Sequence, residues 1–114
     1  MSGRRDRGMV TAELAVAVPV VVVVLALGLA AIRLGIDEVR CVDAARLAAR
    51  ALARGDSEAS ARDLALTAAP PGASVSLGSS GAEVSATVAA NRDLAGWRVV
   101  TVRGSATAAR EGAP

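Results

Sequence analysis

One uncharged apolar run near the amino terminus sets the strongest limit on what this chain can fold into. From Leu14 to Ile32 the sequence has 19 residues without a charge, and 12 of them are Leu, Ile or Val. As a helix rising about 1.5 Å per residue the run would be roughly 28 Å long, close to the ~30 Å hydrocarbon core of a bilayer. The 12 large aliphatic residues favour insertion by roughly 4 to 7 kcal/mol. We therefore expect one membrane-spanning helix.

The charges on either side of this run predict its orientation. The segment up to Gly8 has three arginines and one acid, whereas the charges that follow the run are nearly balanced: Arg4, Arg5, Arg7 and Asp6 before, Arg33, Asp37, Glu38 and Arg40 after. The positive-inside rule places the more basic flank in the cytoplasm. We expect a single-pass protein of the cytoplasmic membrane, with its N-terminus cytoplasmic and its C-terminus extracytoplasmic.

A cleaved secretory signal is the alternative explanation for this run. Such a signal has an apolar region of about 7 to 15 residues after its basic residues. The run here is longer, and Glu13 stands between the basic residues and the apolar stretch, where signal peptides rarely carry an acid. Both features favour a helix that stays in the membrane.

The composition argues against an enzyme. The chain is 53% apolar but 1% aromatic, with Trp97 as its one aromatic residue, and it has no His and one Cys. The commonest general base and metal ligand is therefore missing. Acidic residues lie among the basic ones, 11 against 13, so no basic patch for nucleic acid is indicated. We expect no catalytic residue, no cofactor, no metal, no nucleic-acid partner and no small-molecule substrate.

Three residues around the start of the apolar run have a distinctive spacing. Within RRDRGMVTAELAVAVPV, residues 4–20, Gly8 ends the basic leader, Glu13 follows five positions later, and Pro19 follows six after that. Without a side chain, Gly8 can adopt an extended form in a narrow space. A carboxylate bordering hydrocarbon usually marks function. The alternatives are that Glu13 only reaches to water, and that Pro19 only kinks the helix.

This pattern resembles the type IV prepilin signal, and more specifically the TadE family of minor pilins (pseudopilins) of the tight-adherence, Flp-type pilus. Leu14 departs from the family, which commonly has Phe there. The resemblance implies that a prepilin peptidase cleaves between Gly8 and Met9 and removes the leader, residues 1–8. It also implies that residues 9–32 form the transmembrane and assembly helix, and that Glu13 sets axial register by meeting the α-amine of a neighbouring subunit.

The implied function is that of a minor pilin in a Tad/Flp-type pilus, an adhesion or secretion filament. The implied partners are the prepilin peptidase, other pilin and pseudopilin subunits, the Tad assembly platform and the lipid bilayer, and the mature chain could be incorporated in an extracellular pilus. The alternative functions are an uncleaved, single-pass, membrane-anchored binding module of the cell envelope and a secreted soluble domain. The mature N-terminus distinguishes the three.

Residues 33–69 are expected to be helical and extracytoplasmic. Ala, Leu and Arg dominate up to Arg54, and the long helix is expected to continue from the membrane segment, with Gly35 as its weakest point. One face at helical spacing is apolar: Cys41, Ala44 or Ala45, Ala48 and Leu52. Asp37 with Arg40 and Asp43 with Arg46 are spaced as i,i+3 ion pairs, and Arg46, Arg50 and Arg54 form a basic stripe.

Cys41 is expected to be a small packing residue, with an intermolecular thiol as the alternative. Gly55 is expected to end the first helix, and Asp56 or Ser57 to cap a second helix that runs to about Ala68. Ala61, Leu64, Ala65 and Ala68 are expected to share one face of this second helix.

After residue 73 the apolar period changes to two, which predicts strands. Alternating apolar residues fall into three groups: Val75 and Leu77; Val84, Ala86 and Val88; Val100, Val102, Ala106 and Ala108. We expect a small β-meander over residues 73–109, with a turn at GSSG (78–81), a loop over 89–96, Leu94 and Trp97 in the packing, and a disordered tail at 110–114. The whole chain is predicted to be α+β: a long N-terminal transmembrane helix, a second short helix and a small antiparallel three-stranded sheet.

Overall fold

The computed structural model describes residues 2–94, 96 and 98–111, and its element order confirms the predicted α+β fold. Two helices precede three strands: α1 (Ser2–Ala53), α2 (Glu58–Ala68), β1 (Ser74–Ser80), β2 (Glu83–Leu94) and β3 (Arg98–Ala109). The chain divides into two units, Met1–Ile32 and Arg33–Pro114.

Residues 2–32 of the first unit are helical, and no side chain described among residues 3–32 is buried. The large apolar side chains of this unit are exposed; for example, Met9 is 70% exposed and Ile32 is 60% exposed. The helix is long enough and apolar enough to cross a membrane, with a mean hydropathy of 2.9 in its most apolar stretch and none of that stretch buried. These properties agree with the predicted single membrane span.

The end of α1 follows from one glycine. Gly55 has a φ of +95°, the left-handed conformation that favours glycine. The N–H of Gly55 donates to the carbonyl of Leu52, and the N–H of Asp56 donates to the carbonyl of Ala51, both at 3.0 Å. This is a Schellman motif, which satisfies carbonyls that the last turn would otherwise leave unpaired. The helix continues through Gly35 without a break.

Helix α2 begins at the predicted cap. The side chain of Ser57 accepts a hydrogen bond from the N–H of Ser60 at 3.1 Å, and Glu58 lies in the first turn, where the helix dipole favours an acid. Ala61 and Ala65 are buried. Ala68 is partly buried, whereas Leu64 is 38% exposed.

The sheet is antiparallel, with strand order β1-β2-β3. Two predicted boundaries are wrong. Gly78 lies within β1, opposite Ser85, so the first turn is the tighter one at Gly81 and Ala82. Residues 89–94 belong to β2 instead of a loop, because β3 is long enough to pair with them as far as Leu94 and Arg98.

The core of the second unit is built from small side chains. The sheet contributes valines and alanines from β2, together with Val75 and Val102, and α1 contributes alanines and Cys41. The buried residues of α1 are Cys41, Ala44, Ala45, Ala48, Ala49, Ala51 and Ala53. The predicted apolar face of α1 is therefore confirmed.

Small side chains let helix and strand approach closely at one point. A Cβ added to Gly104 of β3 would lie 2.6 Å from the Cα of Val42 in α1. Only a glycine fits there without moving one of the two backbones.

Backbone hydrogen bonds hold the first two residues after β3. The N–H of Arg110 donates to the carbonyl of Ala82 at 2.6 Å, and the N–H of Glu111 donates to the carbonyl of Ala53 at 2.8 Å. The rest of the predicted disordered tail, residues 112–114, lies outside the described residues. Trp97 and the side chain of Leu94, both predicted to enter the packing, also lie outside them.

Candidate functional site

Gly8 and Met9 lie on an exposed part of α1, before the apolar run. A Cβ added to Gly8 would meet nothing within 4 Å, so the fold of this chain does not require glycine there. The hydroxyl of Thr11 donates to the carbonyl of Arg7 at 2.8 Å, which spans the Gly8–Met9 bond. A peptidase that takes Gly8 in an extended form would have to unwind this stretch of helix.

The helix around Gly8 is weakly held. Its first turn contains no acidic residue that would complement the helix dipole. Gly3 and Gly8 each disfavour helix by about 1 kcal/mol relative to Ala. A Cβ on Gly3 would likewise meet nothing within 4 Å, so neither glycine packs against another part of the described chain. Local unwinding at the leader is therefore inexpensive.

Glu13 and Pro19 lie one and a half turns apart on α1, and both are exposed. None of the ion pairs among the described residues involves Glu13. A carboxylate at the start of an apolar helix needs water or a cationic partner. Pro19 lies inside α1, where it removes one backbone hydrogen-bond donor without ending the helix.

Cys41, the other predicted site residue, lies away from this segment, in the core of the second unit. Its side chain is 0% exposed. Burial raises the pKa of the thiol, and the neighbouring carboxylates of Asp37 and Glu38 raise it further, while the charge of Arg92 lowers it. A buried, protonated thiol is a poor nucleophile. Burial of this free thiol favours the packing role over an intermolecular bond.

Asp37 pairs across the fold instead of along its helix. Its Oδ2 lies 2.9 Å from Nε of Arg92 on β2, and both side chains are largely shielded from water. The predicted pairing of Asp37 with Arg40 is therefore wrong. The Nε of Arg92 makes no well-aligned hydrogen bond, so the contact is an ion pair by proximity. It attaches the far end of β2 to α1.

Three positioning residues escaped the sequence analysis: Arg92, Gly104 and Arg62. Arg62 donates from Nη1 to the carbonyl of Val75 at 3.0 Å and so attaches α2 to β1. The signal for Gly104 was a lone glycine in an otherwise alternating strand, which often marks a close backbone approach. Arg62 and Arg92 had no comparable signal, because each partner lies on an element distant in sequence.

The site residues thus fall into two groups. Gly8, Met9, Glu13 and Pro19 follow one another on the exposed helix of the first unit, and Cys41 belongs to the core of the second. Within the described residues, no three His, Cys, Asp or Glu side chains are placed to hold a metal ion.

Comparison with known proteins adds one relative. The chain is 46% identical over 82 residues to a protein of Mycobacterium tuberculosis (strain ATCC 25618 / H37Rv) named "Apoptosis inhibitor Rv3655c", and the match covers 72% of this chain. The chain spans 65% of the length of that relative. No family model matches the chain. No solved structure matches it either.

Proposed function

We propose that this chain is the precursor of a minor pilin of a Tad/Flp-type pilus. It is inserted with its leader in the cytoplasm, cleaved between Gly8 and Met9 by a prepilin peptidase, and assembled through its N-terminal helix. The chain performs no chemistry in this scheme, since it is the substrate of the peptidase and a structural subunit.

The single observation that carries the proposal is the position of Gly8 and Glu13 on an exposed part of α1, where no ion pair among the described residues involves Glu13 and a Cβ on Gly8 would meet nothing within 4 Å. The aliphatic residues of this helix are about half exposed or more, as Val10 at 54% and Leu25 at 62% illustrate. A surface of this kind is stable only in lipid or against other helices. Assembly into a filament supplies the second of these environments after the bilayer has supplied the first.

Cleavage has a physical purpose in this scheme. The leader carries Arg4, Arg5 and Arg7 against a single acid, Asp6. These charges hold the end of the helix on the cytoplasmic side, because moving them through hydrocarbon is costly. Their removal lets the helix leave the bilayer, and the new α-amine at Met9 can meet the carboxylate of Glu13 on a neighbouring subunit.

The test is the mature N-terminus of the full chain, co-expressed in membranes with a prepilin peptidase and read by intact mass and N-terminal sequencing. We expect loss of residues 1–8. An unprocessed chain would instead support the membrane-anchored binding module, and loss through about Gly28 would indicate a secreted domain.

Substitutions at two glycines sharpen this test. Gly8→Leu is expected to block cleavage and Gly8→Ala to reduce it less, because the peptidase cleft accepts only a small residue. Gly3→Leu is the matched control, since Gly3 lies in the same leader helix with equally open space around it. Cleavage of Gly8→Leu at the rate of Gly3→Leu would overturn the proposal.

A further inference from the structure

Strand β3 forms an outer edge of the sheet, and the ladder shows which of its backbone groups face outward. Arg110 donates to the carbonyl of Ala82, so the pair 82/110 is hydrogen-bonded. The register continues without a bulge to Leu94 opposite Arg98. Hydrogen-bonded and non-hydrogen-bonded pairs alternate in an antiparallel ladder. The odd-numbered residues from Val99 to Ala109 therefore direct their N–H and C=O groups away from β2.

The two edges of the sheet differ in the contacts that their outward-facing backbone groups make. On β1, Arg62 of α2 donates to one outward-facing carbonyl, that of Val75. On the β3 side, Glu111 is bonded to the carbonyl of Ala53 just beyond the end of the strand. Within residues 2–94, 96 and 98–111, no backbone group pairs with the outward-facing groups between Val99 and Ala109. This open edge is long enough to receive another strand.

The open edge is basic. Arg98, Arg103 and Arg110 are exposed, and the segment from 98 to 110 contains no acid. None of the ion pairs among the described residues involves these three arginines. Thr101 and Ser105 flank Arg103 on the same exposed face of the strand, so an added strand would meet hydroxyls and a guanidinium there.

The arginines disfavour two of the registers in which a second copy of β3 could be the added strand. An antiparallel pairing centred on Gly104 would place Arg98 of one copy opposite Arg110 of the other. A pairing centred on Arg103 would place that arginine opposite itself. Like charges directly opposite on paired strands are destabilising. An acidic strand would face the same positions with complementary charge.

We propose that the open edge of β3, from Val99 to Ala109, accepts an extended acidic segment of another polypeptide as a fourth strand, with a carboxylate beside Arg103. Backbone hydrogen bonds to the outward N–H and C=O groups provide affinity, and the arginines select acidic segments. The proposal does not depend on cleavage at Gly8.

The experiment uses the full chain in detergent micelles and a short fluorescent peptide composed of Thr, Val and Glu. Binding is measured by fluorescence anisotropy. One control peptide has Lys in place of Glu, and another has N-methylated amides that cannot donate hydrogen bonds. We expect the Glu peptide to bind at least about tenfold more tightly than either control. Equal binding of the three peptides would overturn the proposal.

Variants of the edge test the geometry. Ser105→Pro removes one outward N–H, and Ser105→Ala keeps it, so only the proline variant is expected to weaken binding by about tenfold or more. Arg103→Glu is expected to weaken binding similarly, whereas Arg46→Glu on the exposed face of α1 is the matched charge control and is expected to leave binding unchanged. If Ser105→Pro fails to fold by circular dichroism, the Arg103→Glu result and the N-methylated peptide still decide. The edge would be assigned to a second copy if the chain binds none of the peptides and forms a dimer that Arg103→Glu stabilises or leaves intact. That result would overturn the proposal.

Discussion

Gly104 of β3 lies so close to Val42 of α1 that a Cβ on the glycine would come within 2.6 Å of the Cα of the valine. The nearby atoms are backbone atoms of α1, which cannot rotate away as a side chain could. The helix and the sheet of the second unit are therefore held at the shortest separation that a glycine permits.

Gly104→Ala is expected to destabilise the folded second unit by about 1 to 3 kcal/mol or more, because an inserted methyl group must push α1 away from β3. Gly78→Ala is the matched control on β1, where the added Cβ would meet only the Oγ of Ser85, at 3.0 Å. A hydroxyl can rotate away, so the change at Gly78 is expected to be small. Thermal unfolding of both variants in detergent, followed by circular dichroism, measures the difference. Equal stabilities would contradict the close approach.

The ion pair between Asp37 and Arg92 is expected to couple α1 to β2. Arg92→Met leaves Asp37 partly buried without its partner, and we expect a loss of about 1 to 3 kcal/mol of unfolding free energy. The pair Arg54–Asp56 is the control, since its side chains are 53% and 39% exposed. Breaking such an exposed pair is expected to change stability by less than about 1 kcal/mol. A double-mutant cycle at each pair provides the comparison, and a larger coupling for Arg54–Asp56 would contradict the structure.

The buried thiol of Cys41 predicts a dependence of stability on alkaline pH. Its pKa is raised in the folded state by burial and by Asp37. Below the pKa of an unfolded thiol, about 8.5, both states keep the proton and the full stability is present. As the pH rises from there through the higher pKa of the folded thiol, only the unfolded state loses its proton, so stability falls.

Cys41→Ala is expected to lack this alkaline loss, and comparison of unfolding free energies from pH 7 to pH 10 measures it. Alkylation of the wild-type thiol by iodoacetamide at neutral pH is expected to be slow in the folded chain and fast after unfolding. Rapid alkylation of the folded chain, or identical pH curves for the two proteins, would show that the thiol is accessible.

Glu13→Ala is expected to leave membrane insertion intact or improved, because it removes a charge from the border of the apolar run. The same variant is expected to impair incorporation into a filament, because in the proposed scheme the carboxylate of Glu13 meets the α-amine of a neighbouring subunit. Asp6→Ala is the matched control, since Asp6 lies in the leader and is absent from the mature subunit in the proposed scheme. Quantitative immunoblotting of sheared filaments and of membranes measures both steps. Normal incorporation of Glu13→Ala would remove this residue from the assembly mechanism.

The sequence predicted the structure correctly where residues of a single element determine it. The uncharged run, the cap at Ser57 and the left-handed glycine at position 55 each act through their own neighbours, and each was predicted from a few residues. The buried alanines of α1 followed from helical spacing in the same way.

The predictions were wrong where contacts between two segments distant in sequence determine the local structure. Residues 89–94 contain Asn91, Arg92 and Asp93, which by themselves favour a loop, but pairing with β3 holds them in a strand, and Thr101 donates a hydrogen bond to the Oδ1 of Asn91 at 2.8 Å. Asp37 was assigned to the nearest arginine in sequence, whereas the fold provides Arg92.

The contact between Gly104 and Val42 also has a consequence for the order of events during synthesis. The ribosome makes α1 first and β3 after α2, β1 and β2. The alanine-lined side of α1 therefore stays uncovered until Gly104 has emerged and can settle on Val42. A nascent chain that stalls before this glycine would present that side to chaperones and proteases.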